Sequence, residues 1–484
     1  MTCRIQEFRE HDCRSAIAAS ASFTTPIDTT HPKSCVITEA SLGRRGARQL
    51  RQKASLWVAL PTTLRVDPGR IASWLLPLSG MLLAAMLVWL RRPDVLTNPQ
   101  FYGEDGVYFA NVYNHGLLAT AITPQSGYLQ TFPALTAGLA RLVPLHHAPL
   151  VMNAAGILPM VLPLGLLLTR RAEALGPSLA TRTLLGLLIV ALPGVSEVHA
   201  TSINSQWYLS ISAVIVLLLP ASERTAGRIF DRAVLLICGL TGVYVLVLLP
   251  VALLVGRWRG RPVPRATIRL LSACVALQII AMVYLSANPL GPVTTAGRSS
   301  GGLDASVPLL WEIVGGRVIL GTLVGDQAGL ALGSTPFGLV AVLGVLVVAV
   351  AVPKQASVEL RAAVLFAAGL LALALVRPLN PWPILAAEPA ITRYWLLPKV
   401  AFVASMLWCV GRGHPLLVRA VASAALACTM LVGIPRDWSE TAPPDSGWAV
   451  ASRAFEHAAP GTRRQLPQLP LVPPGAWSVD LVHH

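Results

Sequence analysis

The chain has 484 residues, 54% of them hydrophobic and only 13% charged, and a formal net charge of +15. A soluble protein carries roughly 25% charged residues, so a soluble globular domain is excluded. The basic excess sits at the ends of apolar runs, where it orients helices and meets anionic headgroups, which argues against nucleic acid as a partner.

Residues 1–70 are polar, basic and without apolar periodicity, and they read as a disordered cytoplasmic tail. Arg44, Arg45, Arg48, Arg51 and Lys53 give that tail a positive-inside anchor. Apolar runs then recur over 71–435 at lengths that cross a hydrocarbon core. They define an all-α fold, a polytopic helical integral membrane protein of about 10–11 crossings.

The first span, 71–90, places residues 91–148 in a first outer loop. Arg91 and Arg92 oppose this placement but are outnumbered by the upstream cluster. The loop contains Phe101-Tyr-Gly-Glu-Asp-Gly-Val-Tyr-Phe109, which sets Glu104 beside Asp105 between two glycines in a chain with 23 acidic residues. A carboxylate there can deprotonate an acceptor hydroxyl or hold a divalent cation, and Tyr102 offers a ring face to a sugar. The plainer reading is a solvated loop whose carboxylates cap a helix over 106–116. Residues 128–144 predict a helix lying in the outer interface.

The run 149–169 returns to Arg170, Arg171 and Arg182 inside. Runs 184–196 and 207–220 enclose an outer segment, Glu197-Val-His-Ala-Thr-Ser-Ile-Asn-Ser-Gln-Trp207. Asn204, Gln206 and Trp207 combine amide hydrogen bonds with a stacking ring, which suits a carbohydrate. An ordinary polar turn with an interfacial tryptophan has the same composition.

Residues 233–255 lie between two basic inside clusters. Two half-helices that break near Gly239 and Gly242 reconcile the charges, and such a break must be buried in protein or line a wet cavity. The run 270–287 leads to a long outer loop, 288–335, in which Arg298 and Arg317 are candidate phosphate ligands. Runs 336–352, 362–376, 395–410 and 420–434 follow, and 436–484 is an outer-face tail. At the outer end of the 395–410 span, Ile391-Thr-Arg-Tyr-Trp395 presents Arg393, beside Tyr394, to a lipid-linked phosphate. Lys399, one turn deeper, reads as snorkelling outward. The seven cysteines include no CxxC and support neither a disulfide framework nor a zinc site.

This layout resembles the GT-C superfamily of polytopic membrane glycosyltransferases. The resemblance covers about residues 71–484. It is carried by Gly103-Glu104-Asp105-Gly106, the 127–133 stretch, Asn204 to Trp207, Arg393-Tyr394 and Pro473-Pro474-Gly-Ala-Trp477. It implies transfer of a sugar from a polyprenyl-phosphate-linked donor to a glycan, lipid or protein acceptor at the outer face of a bacterial cytoplasmic membrane. Asp105, or else Glu104, would be the base, and Arg393 would meet the departing phosphate. Asn204, Gln206, Trp207, Tyr394 and Tyr102 would hold substrate. The adjacent Glu-Asp departs from the family's spaced Asp-x-Asp, so a divalent metal is not assigned. Two other classes fit the composition. One is an O-antigen-type polymerase or ligase with essential arginines in its outer loops. The other is a lipid-linked sugar transporter or flippase, which needs buried charges within its spans.

Overall fold

The computed structural model describes residues 68–484 apart from 125–126, 177, 288–302, 327–333, 352–356, 377–380, 388–390, 412–413, 441, 470–478 and 484. The basic tail to residue 67, Arg298 and the 473–477 motif therefore lie outside the described residues. Six stretches among those described are helices long and apolar enough to cross a membrane: Trp74–Arg91, Leu145–Leu167, Arg265–Tyr284, Val307–Val324, Val358–Val376 and Leu416–Arg436. The protein is a polytopic helical membrane protein, as its composition predicts.

In chain order the main helices are α1 (Pro68–Arg91), α2 (Glu104–His115), α3 (Leu117–Ile122), α4 (Thr131–Ala140), α5 (Ala148–Leu167), α6 (Leu179–Ala191), α7 (Ser205–Leu218) and α8 (Thr225–Gly239). They continue with α9 (Val245–Trp258), α10 (Arg265–Ala287), α11 (Val307–Val324), α12 (Ser334–Ala351), α13 (Val358–Val376), α14 (Leu396–Val410), α15 (Leu416–Arg436) and α16 (Trp448–Glu456). α1 carries no charged side chain between Arg70 and Arg91 and ends where Pro93 removes a donor. α5 is the hub on which α1, α4, α6 and α7 pack, and it tolerates Pro159 and Pro163 in its interior.

Hydrogen bonds sort the helix ends onto two faces. On one face Arg171 pairs with Asp231 at 2.7 Å, Arg182 Nη1 donates to the carbonyls of Leu167 and Thr169, and Arg259 joins Leu218 O to Glu359. On the other, Arg91 donates to Leu192 O at 2.9 Å and to Asp437 O at 3.0 Å, and Asp326 N donates to Asp437 Oδ2. Arg92 there pairs with Asp94 at 2.8 Å and with Glu440 at 3.0 Å. Arg91 and Arg92, which oppose the charge parity as sequence, are thus committed to carbonyls and carboxylates rather than free to steer the first helix.

The break in the 233–255 segment is present. α8 ends at Gly239 and α9 begins at Val245. Between them Gly242 adopts φ +97°, and a Cβ there would sit 2.5 Å from Gln206 Oε1 and from the Tyr244 ring, so only glycine fits. Protein groups answer much of the backbone freed by the break. Gln278, buried on α10, donates to Gly239 O at 3.2 Å and Gly242 O at 3.1 Å, and accepts from Leu129 N at 2.9 Å. Gly242 N donates to Leu129 O, and Thr131 N to Leu240 O.

Residues 288–335, expected as one long outer loop, contain α11, whose central residues Glu312–Leu320 are π-helical. Arg317 on it, expected in the loop as a phosphate ligand, is buried. Its Nη1 pairs with Asp326 at 2.7 Å and its Nε donates to Ala386 O at 2.8 Å. Lys399 does not snorkel. It is 0% exposed, lies 3.6 Å from Asp326 Oδ1 and donates to the carbonyls of Pro193 and Gly194. The physical reason is that a lysine beside a buried carboxylate and two carbonyls is solvated by protein, so the interface offers it no gain. Asp326→Asn removes the shared anion from two buried cations. It should lower stability by about 3–5 kcal/mol, read as a fall in the thermal midpoint of the detergent-solubilised protein.

α4 forms inside the stretch expected to lie at the interface and packs on α2 and α3. Leu117, Leu118, Ile122, Leu135, Leu139 and Leu142 make an exposed apolar surface on this trio. The C-terminal segment is a folded cap. α16 and a two-stranded antiparallel sheet, β1 (Arg463–Leu466) with β2 (Val479–Val482), cover α2. Trp448, Phe455, Leu466, Val479 and Leu481 share a core with Phe101, Tyr108, Phe109 and Val112. Phe101 and Trp448 meet edge to face at 4.7 Å, and Asn114 bonds both Asp480 O and Val482 N.

Candidate active site

The carboxylate pair opens α2. Gly103, at φ +46°, turns the chain into the helix, and Glu104 and Asp105 are its first two residues, where the helix dipole favours negative charge. Successive helical residues point about 100° apart, so the two carboxylates face different surroundings.

Asp105 turns inward and is 0% exposed. Its Oδ2 accepts from Ser202 N at 3.0 Å and its Oδ1 from Ile203 N at 2.7 Å. Burial pushes its carboxyl up to about 7, against the pull of those two N–H groups. That value falls in the range of a general base, but each oxygen already accepts a backbone N–H and the side chain is closed off from solvent. Asp105, expected as the first choice of base, is placed as the clasp between α2 and the 196–204 loop. Thr136 and Ser202 hydroxyls tie the same loop to α4.

Glu104 is half-buried and makes no hydrogen bond among the described residues. Its charge, with those of Glu197 and Arg393, acts on Tyr102. Burial, then the charge of Glu197, pushes the Tyr102 phenol up and keeps it protonated. Burial pushes Tyr128 up to about 12, with Arg393 and the Gln206 amide pulling back. Glu104, Tyr102, Tyr128, Glu197, Gln206 and Arg393 thus share one corner of the molecule.

Arg393 sits on the turn Thr392–Trp395 that starts α14. Its Nη1 donates to Glu197 Oε1 and its backbone N to Glu197 Oε2, while Glu197 N donates to Thr392 Oγ1 at 3.2 Å. Burial raises Glu197, and Arg393 opposes it. The other guanidinium nitrogens of Arg393 make no hydrogen bond among the described residues and are not sealed off, so they remain available to an anion. The guanidinium lies 5.4 Å from the Tyr394 ring centre, and Trp207 meets Tyr394 at 5.6 Å and Tyr244 at 5.2 Å, both edge to face. Asn204 sits beside this corner on the same loop. Its amide donates to Glu197 O at 2.8 Å and holds the loop.

Behind the site His199, 1% exposed, bonds Glu440 at 2.9 Å through Nδ1. Burial and then Arg91 lower His199 to about 4. Burial opposes ionisation of Glu440, but His199, Arg92 and Arg91 outweigh it and hold Glu440 down at about 2. Neutral His199 therefore donates from Nδ1 to the carboxylate. Both folded values lie below the unfolded ones, so this pair stabilises the fold at neutral pH. The His199 part is lost as pH falls from about 6.5 through 4, and the Glu440 part below that. The thermal midpoint of wild type should fall more steeply between pH 7 and pH 4 than that of His199→Gln, and equal slopes would refute the assignment.

Of the residues expected at the site, Glu104, Tyr102, Arg393, Tyr394, Gln206 and Trp207 come together, while Asp105 and Asn204 hold the scaffold. Sequence reasoning passed over Glu197 as the partner of Arg393, and Tyr128. Glu197 carried a signal, as one of few acidic residues between spans. Among the described residues no group of three His, Cys, Asp or Glu side chains is arranged to hold a metal ion. The chain matches no protein-family model, no curated protein and no solved structure.

Proposed function

We propose that the protein is a membrane glycosyltransferase of GT-C type. It moves a sugar from a polyprenyl-phosphate-linked donor to an acceptor hydroxyl at the outer face of a bacterial cytoplasmic membrane. The N-terminus lies on the cytoplasmic side with the arginine-rich face, and the Glu104 corner lies outside. One convergence supports this reading: a half-buried carboxylate without a partner among the described residues, an arginine with open donors and a wall of tyrosine and tryptophan rings meet at one corner. The acceptor oxygen attacks the anomeric carbon while its proton passes to Glu104. The carbon–oxygen bond to phosphate breaks, and Arg393 meets the charge that gathers on the leaving phosphate. Neutral Tyr102 and Tyr128 donate hydrogen bonds to the sugar, and the rings of Trp207 and Tyr394 pack on it. The test is transfer of labelled sugar from a polyprenyl-phosphate donor by the protein in liposomes. Wild type should transfer and Arg393→Ala should not; transfer by both at equal rates would refute the reading.

A second reading is favoured by one observation. The Arg317–Asp326–Lys399 cluster is buried within helices, as a lipid-linked sugar transporter requires. Movement of the donor across the liposome membrane without sugar transfer would decide for it.

A further inference from the structure

A cavity of about 560 Å³ runs between α6, α7, α13 and α14. Its walls are apolar, with Leu185, Ile189, Ile215, Phe366, Val400 and Leu407 among them. One end stops at Leu397, a single helical turn from Arg393. The other end lies on the arginine-rich face and is polar, with Ser178, Thr181, Arg182, Glu359 and His414. Glu359 is already paired with Arg259. Arg182 is 7% exposed, and among the described residues only its Nη1 donates. Its Nε is buried with no partner among the described residues. A guanidinium held in this way is costly until an acceptor completes it.

We propose that this cavity binds one anionic phospholipid of the cytoplasmic leaflet, with an acyl chain along the groove and phosphate oxygens at Arg182. The volume falls in the range of roughly 300–1,000 Å³ that encloses small ligands. The leaflet facing the arginine-rich side supplies anionic headgroups. A polyprenyl phosphate is the rival amphiphile. Its phosphate has to reach Arg393 and Glu104 to react, whereas a headgroup on Arg182 sits at the opposite end of the groove. The proposal stands for a transporter as well as for a transferase.

The test is native mass spectrometry of the full chain released from mild detergent, titrated with phosphatidylglycerol, phosphatidylcholine of the same chains, or a polyprenyl phosphate. Wild type should retain one phosphatidylglycerol and bind phosphatidylcholine at least about tenfold more weakly. Ala404→Leu, which fills the groove, and Arg182→Gln should each weaken phosphatidylglycerol by about tenfold or more. Equal binding of the two phospholipids, stronger binding of the polyprenyl phosphate, or wild-type retention by Ala404→Leu would each overturn the proposal. Arg182 also caps α5, so Arg182→Gln has a second reason to misfold. Ala404→Leu disturbs no side-chain hydrogen bond and decides for the groove on its own, and the phospholipid comparison on wild type decides for the charge.

Discussion

Glu104→Gln should lower the proposed sugar transfer by about 10²–10⁴-fold and leave the thermal midpoint nearly unchanged. The amide matches the carboxylate in size and removes only its capacity to take a proton. Glu104 makes no hydrogen bond among the described residues, so the fold has little to lose. The exception is its favourable place at the start of α2, a term of about 0.3–1 kcal/mol. Initial rates from a labelled donor, measured beside a melting curve of the same preparation, check both halves. A rate within about twofold of wild type would move the base elsewhere.

Asp105→Ala should give the opposite signature. Removing the carboxylate strands the buried N–H groups of Ser202 and Ile203, each at about 1–3 kcal/mol, so the loss is on the order of 2–6 kcal/mol. Asp105→Asn should fall between, because its one carbonyl oxygen can answer one N–H well. The readouts are the thermal midpoint and proteolysis of the 196–204 loop. The fraction that stays folded should carry out the proposed transfer at close to the wild-type turnover. A folded but inactive Asp105→Asn would return the base to Asp105.

The difference between these neighbours was within reach of the sequence. Read as a loop, the Phe101 to Phe109 segment gives the two carboxylates equal standing. Read as a helix from Glu104, positions 105, 108, 109 and 112 fall on one face and are all buried, which turns Asp105 inward. The break at Gly239 to Gly242 was legible because two basic clusters cannot flank a single crossing. α11 was hidden by its own charges. Arg317 reads as a loop residue until Asp326, nine positions on, is seen to neutralise it. The folded cap had no local signal at all. Its short strands and α16 gain their apolar partners from Phe101 to Val112, far away along the chain. Arg393 was visible as a cation at a span's end, but its attachment to Glu197 joins turns 196 residues apart.

That cap also sets a timetable for biogenesis. Asn114 cannot make its bonds to residues 480 and 482 until the ribosome has added the intervening 366 residues and more. At roughly 5–20 residues per second, α2 waits on the order of 20–70 seconds after its own synthesis for its cover. Through that interval Phe101, Phe109 and Tyr113 lack the Trp448 and Phe455 rings that pack on them in the finished fold.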